Sequence, residues 1–362
     1  MIRISIDSKQ KPYEALIEQG ILRSAGMYIR ELLPDSKRVF TITVPRVRKH
    51  HAKALTASLR DVKIENHFIE MPDGERFKHM GTVEALASKL VKLGADREST
   101  LVALGGGVVG DVTGFLAAIY MRGVKFVQIP TTFLSQIDSS VGAKTGVNLK
   151  EGKNLVGIFN QPEMVLIDPD VLLTLPAREF RSGLYEALKT GVIREARIFD
   201  FMESNHDRIL KRDSAAMEWL IGECVRVKAG VVSADERERG LRRILNFGHT
   251  VGHALESETK YKHFLHGEAV AWGMIAAGLI ALETKHTDRD TLERMVAAIK
   301  SYGRLPKVDV KARGVIRLLT RDKKTVNGKV HFVLPVKIGE VEVVADVPER
   351  AVMKAVDELR KM

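Results

Sequence analysis

The chain predicts a two-part protein: an α/β domain built on a mainly parallel sheet, followed by a mostly α-helical domain. Three observations predict it. Up to residue 177, β-branched or aromatic runs ended by Pro or Gly alternate with segments of helical apolar spacing, the pattern of a parallel sheet covered by helices. After LLTLPAREF (172–180) nearly every segment has helical period. At 362 residues, the chain is also long for one hydrophobic core. The expected domains are 1–177 and 178–362.

The strand signals come in order. RVFTITVP (38–45), VKIENHFIEMP (62–72), TLVALGG (100–106), VKFVQIP (124–130) and MVLIDP (164–169) read as strands, β-branched or aromatic runs that stop at Pro or Gly. VEALASKLVKLG (83–94) and VTGFLAAIYMRG (112–123) lie between them and have helical spacing up to a terminal glycine. In the second half LYEALKTGVI, MEWLIGECVRVKAGVV, VAWGMIAAGLIALE and LERMVAAIKSYG read as helices. Near the end, 325–344 reads as a hairpin turning at Asn327-Gly328.

Composition narrows the class. No run of 18 apolar residues is present, so no membrane-spanning helix is expected, and the start lacks the pattern of a secretory leader. One cysteine, Cys224, precludes an intramolecular disulfide and fits a reducing cytoplasm. The net charge of +11 is spread among acidic neighbours, as in DERERGLRR (235–243), which reads as solvated helix faces. No nucleic-acid partner and no membrane partner are expected; extra cations also suit a polyanionic small molecule.

Chemistry concentrates in LNFGHTVGHALESETKYKHFLHGE (245–268). His249 and His253 are four apart, so a helix puts both rings on one face, and His266 follows after a short break. Three imidazoles so close suggest a divalent metal with an open position, zinc first. The zincin pattern is excluded, because Thr250 stands where it needs Glu. Read alone, the same histidines also fit ordinary core or surface positions. In LVALGGGVVGDVTGF (101–115), Gly105, Gly107 and Gly110 satisfy G-x-G-x-x-G between a strand and a helix. No carboxylate follows about 20 residues on, so a Rossmann-type ribose contact is not supported there. The loop PDGERFKHMGT (72–82) offers Asp73, Glu75 and Lys78 for ribose hydroxyls. A long polar segment, 130–157, carries Asp138, Lys144, Lys150 and Lys153, reads as an irregular functional loop, and is not a Walker A motif.

Taken together, GGGVVGDVTGF, YMRG, IPTT, SQIDSSVGAKTGVN, GKNLVGIFNQP, SGLYEALKTGVI, LNFGHTVGH, LHGEAVAWGM and DKK resemble the 3-dehydroquinate synthase family over essentially the whole chain. The resemblance implies an NAD-binding first domain and a metal- and substrate-binding second domain. It implies metal ligands Glu186, His249 and His266, with zinc expected and cobalt the alternative, and His253 freed for catalysis. It implies Lys189, Asp138, Lys144, Asn154, Lys228, Glu238, Arg242, Asn246 and one of Lys323 and Lys324 as substrate residues. Arg122 would reach a partner subunit's phosphate site, which implies a homodimer. NAD would meet Asp73, Glu75, Lys78, Gly105, Gly106, Gly107, Gly110, Asp111, Thr131, Thr132, Lys144, Lys153 and Thr174. The implied reaction converts 3-deoxy-D-arabino-heptulosonate 7-phosphate to 3-dehydroquinate and phosphate. It runs by transient oxidation, elimination, re-reduction and aldol closure. Alternatives are another sugar-phosphate cyclase or a metal-dependent polyol dehydrogenase. Three positions depart from the family pattern: Ala143 where glycine is usual, Leu149 where histidine is usual, and Tyr185 where a small residue is usual.

Overall fold

A computed structural model describes residues 1–8, 10–238, 240–321, 330–345 and 347–362. Lys323, Lys324 and Asn327-Gly328 lie outside the described residues. The chain divides into two units, 1–176 with 217–233, and 177–216 with 234–362.

Unit 1 begins β1 (Ile2–Ile6), β2 (Tyr13–Ile17), α1 (Ala25–Leu32), β3 (Arg38–Thr43), α2 (Pro45–Asp61), β4 (Glu65–Glu70), α3 (Met80–Lys92) and β5 (Thr100–Gly105). It continues α4 (Gly107–Ile119), β6 (Lys125–Pro130), β7 (Lys144–Leu149), β8 (Gly152–Phe159) and β9 (Met164–Ile167). Seven strands form one sheet in the order β1-β2-β9-β6-β5-β3-β4, parallel except for β1 against β2. β5 is buried along its whole length, because alternate residues feed two cores. Leu101 and Ala103 join Phe40, Ile42 and Phe126 beneath Leu86 of α3 and Val112 and Leu116 of α4. Val102 and Leu104 join Val39, Val127 and Leu166 beneath Ile29 of α1 and Leu55 and Leu59 of α2. The helices following β3 and β5 therefore lie on opposite faces of the sheet. That arrangement opens a crevice at the carboxyl ends of these two neighbouring strands, the usual place for a ligand in such sheets.

Unit 2 contains α5 (Ala177–Ile193), α6 (Ala196–Ser204) and α7 (His206–Leu210). Next comes α8 (Ser214–Ala234), most of which belongs to unit 1. Unit 2 resumes with α9 (His249–Glu258), α10 (His266–Glu283), α11 (Arg289–Ser301), α12 (Ala312–Arg321), β10 (His331–Lys337), β11 (Glu340–Ala345) and α13 (Glu349–Leu359). The central helix is α10, apolar all round and buried from Gly267 to Gly278. Glycines let its neighbours approach to backbone contact. A Cβ at Gly267 would lie 1.8 Å from the Ser182 carbonyl oxygen of α5, and one at Gly273 would lie 1.8 Å from the Gly248 carbonyl oxygen before α9.

Three expectations change. The sequence puts the helix at 217–233 in the second domain, but its partners are in unit 1. Gly222 sits against Ile2, Ser233 Oγ accepts from the Asp7 N–H, and Lys228 holds Asp138. The final hairpin turns at Ile338-Gly339, with Gly339 at φ 91°, and pairs β10 with β11. The segment 130–157 is not an irregular loop: a π-helical turn (Ser135–Ser139) leads into the antiparallel β7–β8 hairpin.

Ala143, just before β7, has φ 58°. A Cβ is disfavoured there, so Ala143→Gly is expected to stabilise the chain by about 0.5–1 kcal/mol. A urea midpoint that stays put or falls would show that this turn carries no such strain.

Candidate active site

In unit 2, α5, α9 and α10 bring four donor groups together. His249 opens α9 after Gly248, whose φ of 77° turns the chain into the helix. His253 follows one turn later, and His266 is the first residue of α10. The rings of His249 and His253 lie 5.2 Å apart by centroid, those of His249 and His266 5.2 Å, and those of His253 and His266 5.7 Å. One nitrogen from each of the three can be chosen so that all lie within 4.8 Å of one another.

Glu186 comes up from α5. Its side chain is 1% exposed, and Oε1 lies 3.6 Å from His249 Nε2 and 3.5 Å from His266 Nε2. Neither carboxylate oxygen accepts a properly directed hydrogen bond among the described residues, although Lys189 Nζ lies 2.6 Å from Oε2. The Lys189 ammonium offsets part of the cost of burying this carboxylate, and a metal cation at Oε1 would offset more. The two nearest histidines are oriented to help. His249 Nδ1 lies 3.0 Å from the Phe247 carbonyl oxygen, and His266 Nδ1 lies 3.3 Å from Glu256 Oε2. An acceptor at Nδ1 fixes the proton there and leaves Nε2 as a lone-pair donor facing Glu186. The donor set, one carboxylate and two or three imidazoles, suits zinc or cobalt with an open position.

The sequence reading missed Glu256. It is buried, and it lies seven residues after His249 and three after His253, on the same helical stripe. That spacing was the available signal.

Other expected substrate residues of unit 2 gather on the 3-10 turn Leu241–Asn246 and the segment before it. Asn246 Nδ2 donates to Glu238 Oε1 at 2.7 Å. Arg242 is buried, donates from NH1 to the Glu236 carbonyl oxygen at 2.6 Å, and is held through its backbone N–H by Asp235. Tyr185 is buried in the unit, and burial pushes its phenol up to about 12. As the neighbour of Glu186 on a helix, it projects about 100° away from it.

In unit 1, the expected nucleotide residues lie at or after the carboxyl ends of β4, β5, β6 and β9, except Lys144 and Lys153, which lie on the β7–β8 hairpin. Gly105–Gly107 end β5 and start α4, and their lack of side chains lets the turn close. A Cβ at Gly106 would lie 2.9 Å from Thr132 Cγ2, and one at Gly107 2.9 Å from Ser139 Oγ. Asp73, Glu75 and Lys78 follow β4, Thr131 and Thr132 follow β6, and Thr174 follows β9. The hydroxyl of Thr131 is buried with no hydrogen-bond partner among the described residues, as are those of Thr43 at the end of β3 and Ser139. Orphan hydroxyls beside the first turn of α4 fit an anionic, hydroxyl-rich group such as a dinucleotide.

Lys78 is buried and donates to Asp111 Oδ2 and to Asn154 Oδ1, at 2.5 Å each. Burial raises the Asp111 carboxyl above its ordinary range, and the Lys78 ammonium works against that shift. Lys228 donates to Asp138 Oδ1 at 2.8 Å and to its carbonyl oxygen at 2.5 Å. Lys144 is exposed, Lys153 half-buried, and both lie on the β7–β8 hairpin. Arg122 is exposed in the turn after α4, with φ 71°.

His51 of α2 lies 3.0 Å from Thr174 Oγ1, which donates to the Val171 carbonyl oxygen. His51 Nε2–H is therefore the donor, and the ring is held neutral. Burial, with His50 beside it, lowers its pKa to about 4. The unfolded chain then binds a proton that the fold does not, so stability is complete above about pH 6.5 and falls towards pH 4, by up to about 3 kcal/mol. Urea midpoints measured across that window should slope in the native chain and flatten in His51→Gln; equal slopes would dismiss the assignment.

The 3-dehydroquinate synthase N-terminal model matches residues 68–182, and the C-terminal model matches 183–325. A 3-dehydroquinate synthase from Koribacter versatilis (strain Ellin345) is 56% identical over 360 residues, covering 99% of this chain and 98% of that protein. The chain belongs to the 3-dehydroquinate synthase family. A second 3-dehydroquinate synthase, from Solibacter usitatus (strain Ellin6076), is 48% identical over 97% of both chains. Among solved structures, 2-epi-5-epi-valiolone synthase from Streptomyces hygroscopicus subsp. jinggangensis 5008, with NAD+ and Zn2+ bound, is 29% identical at TM-score 0.90 over 98% of both chains. A 2-deoxy-scyllo-inosose synthase complexed with carbaglucose-6-phosphate, NAD+ and Co2+ is 25% identical at TM-score 0.89 over 99% of both. A probable glycerol dehydrogenase from Sinorhizobium meliloti 1021, 19% identical at TM-score 0.65 over 96% of both, shares the fold. Like other 3-dehydroquinate synthases, the chain is a phosphate-eliminating enzyme of the lyase class.

Proposed function

We propose that the chain converts 3-deoxy-D-arabino-heptulosonate 7-phosphate to 3-dehydroquinate and phosphate, using NAD+ held by unit 1 and a divalent metal, zinc first, held by unit 2. The observation that carries this is the buried Glu186 carboxylate, whose oxygens lack directed hydrogen bonds and face two oriented imidazoles. Glu186, His249 and His266 would hold the metal, which would supply a Lewis acid for the substrate's vicinal hydroxyls. Bound NAD+ would supply a hydride acceptor and donor at C5, so the cycle would have no net redox change.

The remaining work falls to side chains. His253, beside the ligand histidines, takes the hydroxyl proton as the C–H bond at C5 breaks. The C5 ketone acidifies the neighbouring C–H, and phosphate leaves by elimination. Lys144, Lys228 and Arg242, with Lys323 or Lys324, hold the carboxylate and phosphate, while Asn154, Asn246, Glu238 and Lys189 fix the hydroxyls. Asp138 keeps Lys228 extended through two hydrogen bonds. Holding a flexible polyanion in one geometry accounts for much of the rate.

Arg242 and Lys228 would suit a substrate carboxylate, which favours this substrate over those of cyclases whose sugar phosphates lack one. The same reading makes the protein a cytoplasmic homodimer, with Arg122 reaching the partner's phosphate site. Exposed Ile119, Met121, Leu155, Ile158 and Phe159 on unit 1 support an interface. A monomer by sedimentation at working concentration would remove that part.

The deciding assay follows phosphate release and NADH absorbance together, with the metal-loaded chain and catalytic NAD+. Phosphate release without net NADH, and dehydroquinate as product, is the expected result. NADH accumulating with a simple polyol would move the activity to a dehydrogenase.

A further inference from the structure

Asn148, on β7, has no role in the reading above, yet it lies at the centre of a hydrogen-bonded knot in unit 1. Its backbone N–H donates to the Lys78 carbonyl oxygen at 2.8 Å. Its side-chain Nδ2 donates to Glu75 Oε1 at 2.7 Å, and its Oδ1 accepts from the Asn154 backbone N–H at 2.8 Å. Lys78 closes the ring, donating to both Asn154 Oδ1 and Asp111 Oδ2. The orientation of the amide follows from its neighbours: a backbone N–H only donates and a carboxylate accepts, so Oδ1 must face Asn154 and Nδ2 must face Glu75.

Asn154 stands at φ 54°, a left-handed conformation that asparagine tolerates better than other side chains, and its contacts keep it there. Asn148 and Lys78 make those contacts. Aspartate would present an acceptor to Glu75, and alanine would reach neither partner.

We propose that Asn148 is a positioning residue whose single amide sets Glu75 and Asn154 in place, so that the nucleotide residue and the substrate residue are ordered together. The proposal rests on the reading that Glu75 contacts NAD+ and Asn154 contacts the substrate. It goes beyond that reading by making one residue, assigned to neither ligand, responsible for both geometries.

The test titrates NAD+ into the full-length chain by calorimetry, across about pH 6 to 8, with native protein as the reference at each pH. Asn148→Asp keeps the acceptor for Asn154 and sets a second carboxylate against Glu75. Its NAD+ Kd is expected to rise about tenfold near pH 8 and to return towards the native value near pH 6, where a shared proton re-creates the donor. In a Glu75→Gln background, Asn148→Asp should bring no such pH-dependent loss, because the amide introduced by Glu75→Gln then donates to the new carboxylate. Asn148→Ala should raise both the NAD+ Kd and the KM for the sugar-acid phosphate.

A merely structural role would lower the Tm of every variant and leave their Kd profiles parallel to the native one. That result would overturn the proposal, as would a native Kd and pH profile in Asn148→Asp. A native chain that binds no NAD+ would overturn the nucleotide reading itself, and this proposal with it.

Discussion

Glu186→Ala is expected to give a chain that folds but neither retains a divalent metal nor turns over. Apparent zinc-binding free energies of about 10–16 kcal/mol for four-ligand sites correspond to about 2.5–4 kcal/mol per ligand. Losing one should therefore weaken metal binding roughly a hundred- to a thousandfold. The charge matters as much as the contact. Glu186 is the one anion among the four donor groups; Lys189, 2% exposed, lies 2.6 Å from it. Glu186→Gln keeps the volume and removes the charge, so it should lose metal nearly as completely while keeping the apo-protein's Tm. Metal content after dialysis and competition against a chromophoric chelator would read both variants. Stoichiometric, tightly held metal in Glu186→Ala would exclude the carboxylate from the ligand set and leave the three histidines as the alternative.

Part of this site was legible in the chain. His249 and His253 stand at helical spacing, so one face and one turn could be read directly, and α9 begins at His249. Glu186 carries no such mark. It sits mid-helix on α5, in the pattern of an ordinary amphipathic segment, and only the resemblance singled it out. The contacts that bring it to the histidines are glycine-backed helix approaches at Gly267 and Gly273, which no local periodicity reveals.

The fold followed the same division. Five parallel strands of unit 1, β3, β4, β5, β6 and β9, were readable as β-branched or aromatic runs ended by Pro or Gly; β2, parallel to β9, was not. The β7–β8 hairpin was not, because its connection, Lys150-Glu151, looks like a solvated loop and its strands are rich in Gly, Lys and Asn. Helix 217–233 has clear helical period, but period does not say which core a helix joins; the Asp7–Ser233 and Asp138–Lys228 contacts decide that. Glu75, Lys78, Asp111, Asn148 and Asn154 come from separate stretches, and folding alone makes them one network.

His253→Ala is the complementary experiment, and its outcome should be the reverse of Glu186→Ala in metal content. His253 belongs to the geometric cluster as fully as the other two histidines, so distance among rings does not separate ligand from catalyst. The proposal of His249 and His266 as ligands rests on the direction of their Nε2 atoms. His249 and His266 each have an acceptor at Nδ1 and present Nε2 to Glu186 Oε1, at 3.6 and 3.5 Å. The proposed ligand set is centred on that oxygen, and His253, one turn along α9, is the proposed proton acceptor beside it. His253→Ala should therefore hold metal within about tenfold of the native affinity while kcat falls about a hundred- to ten-thousandfold, the usual contribution of a positioned acid–base group. Because hydride transfer and proton removal both precede elimination, phosphate release should fall in parallel with turnover. If His253→Ala instead sheds its metal while Glu186→Ala keeps it, the site is a three-histidine centre, and Glu186 becomes the candidate base beside it.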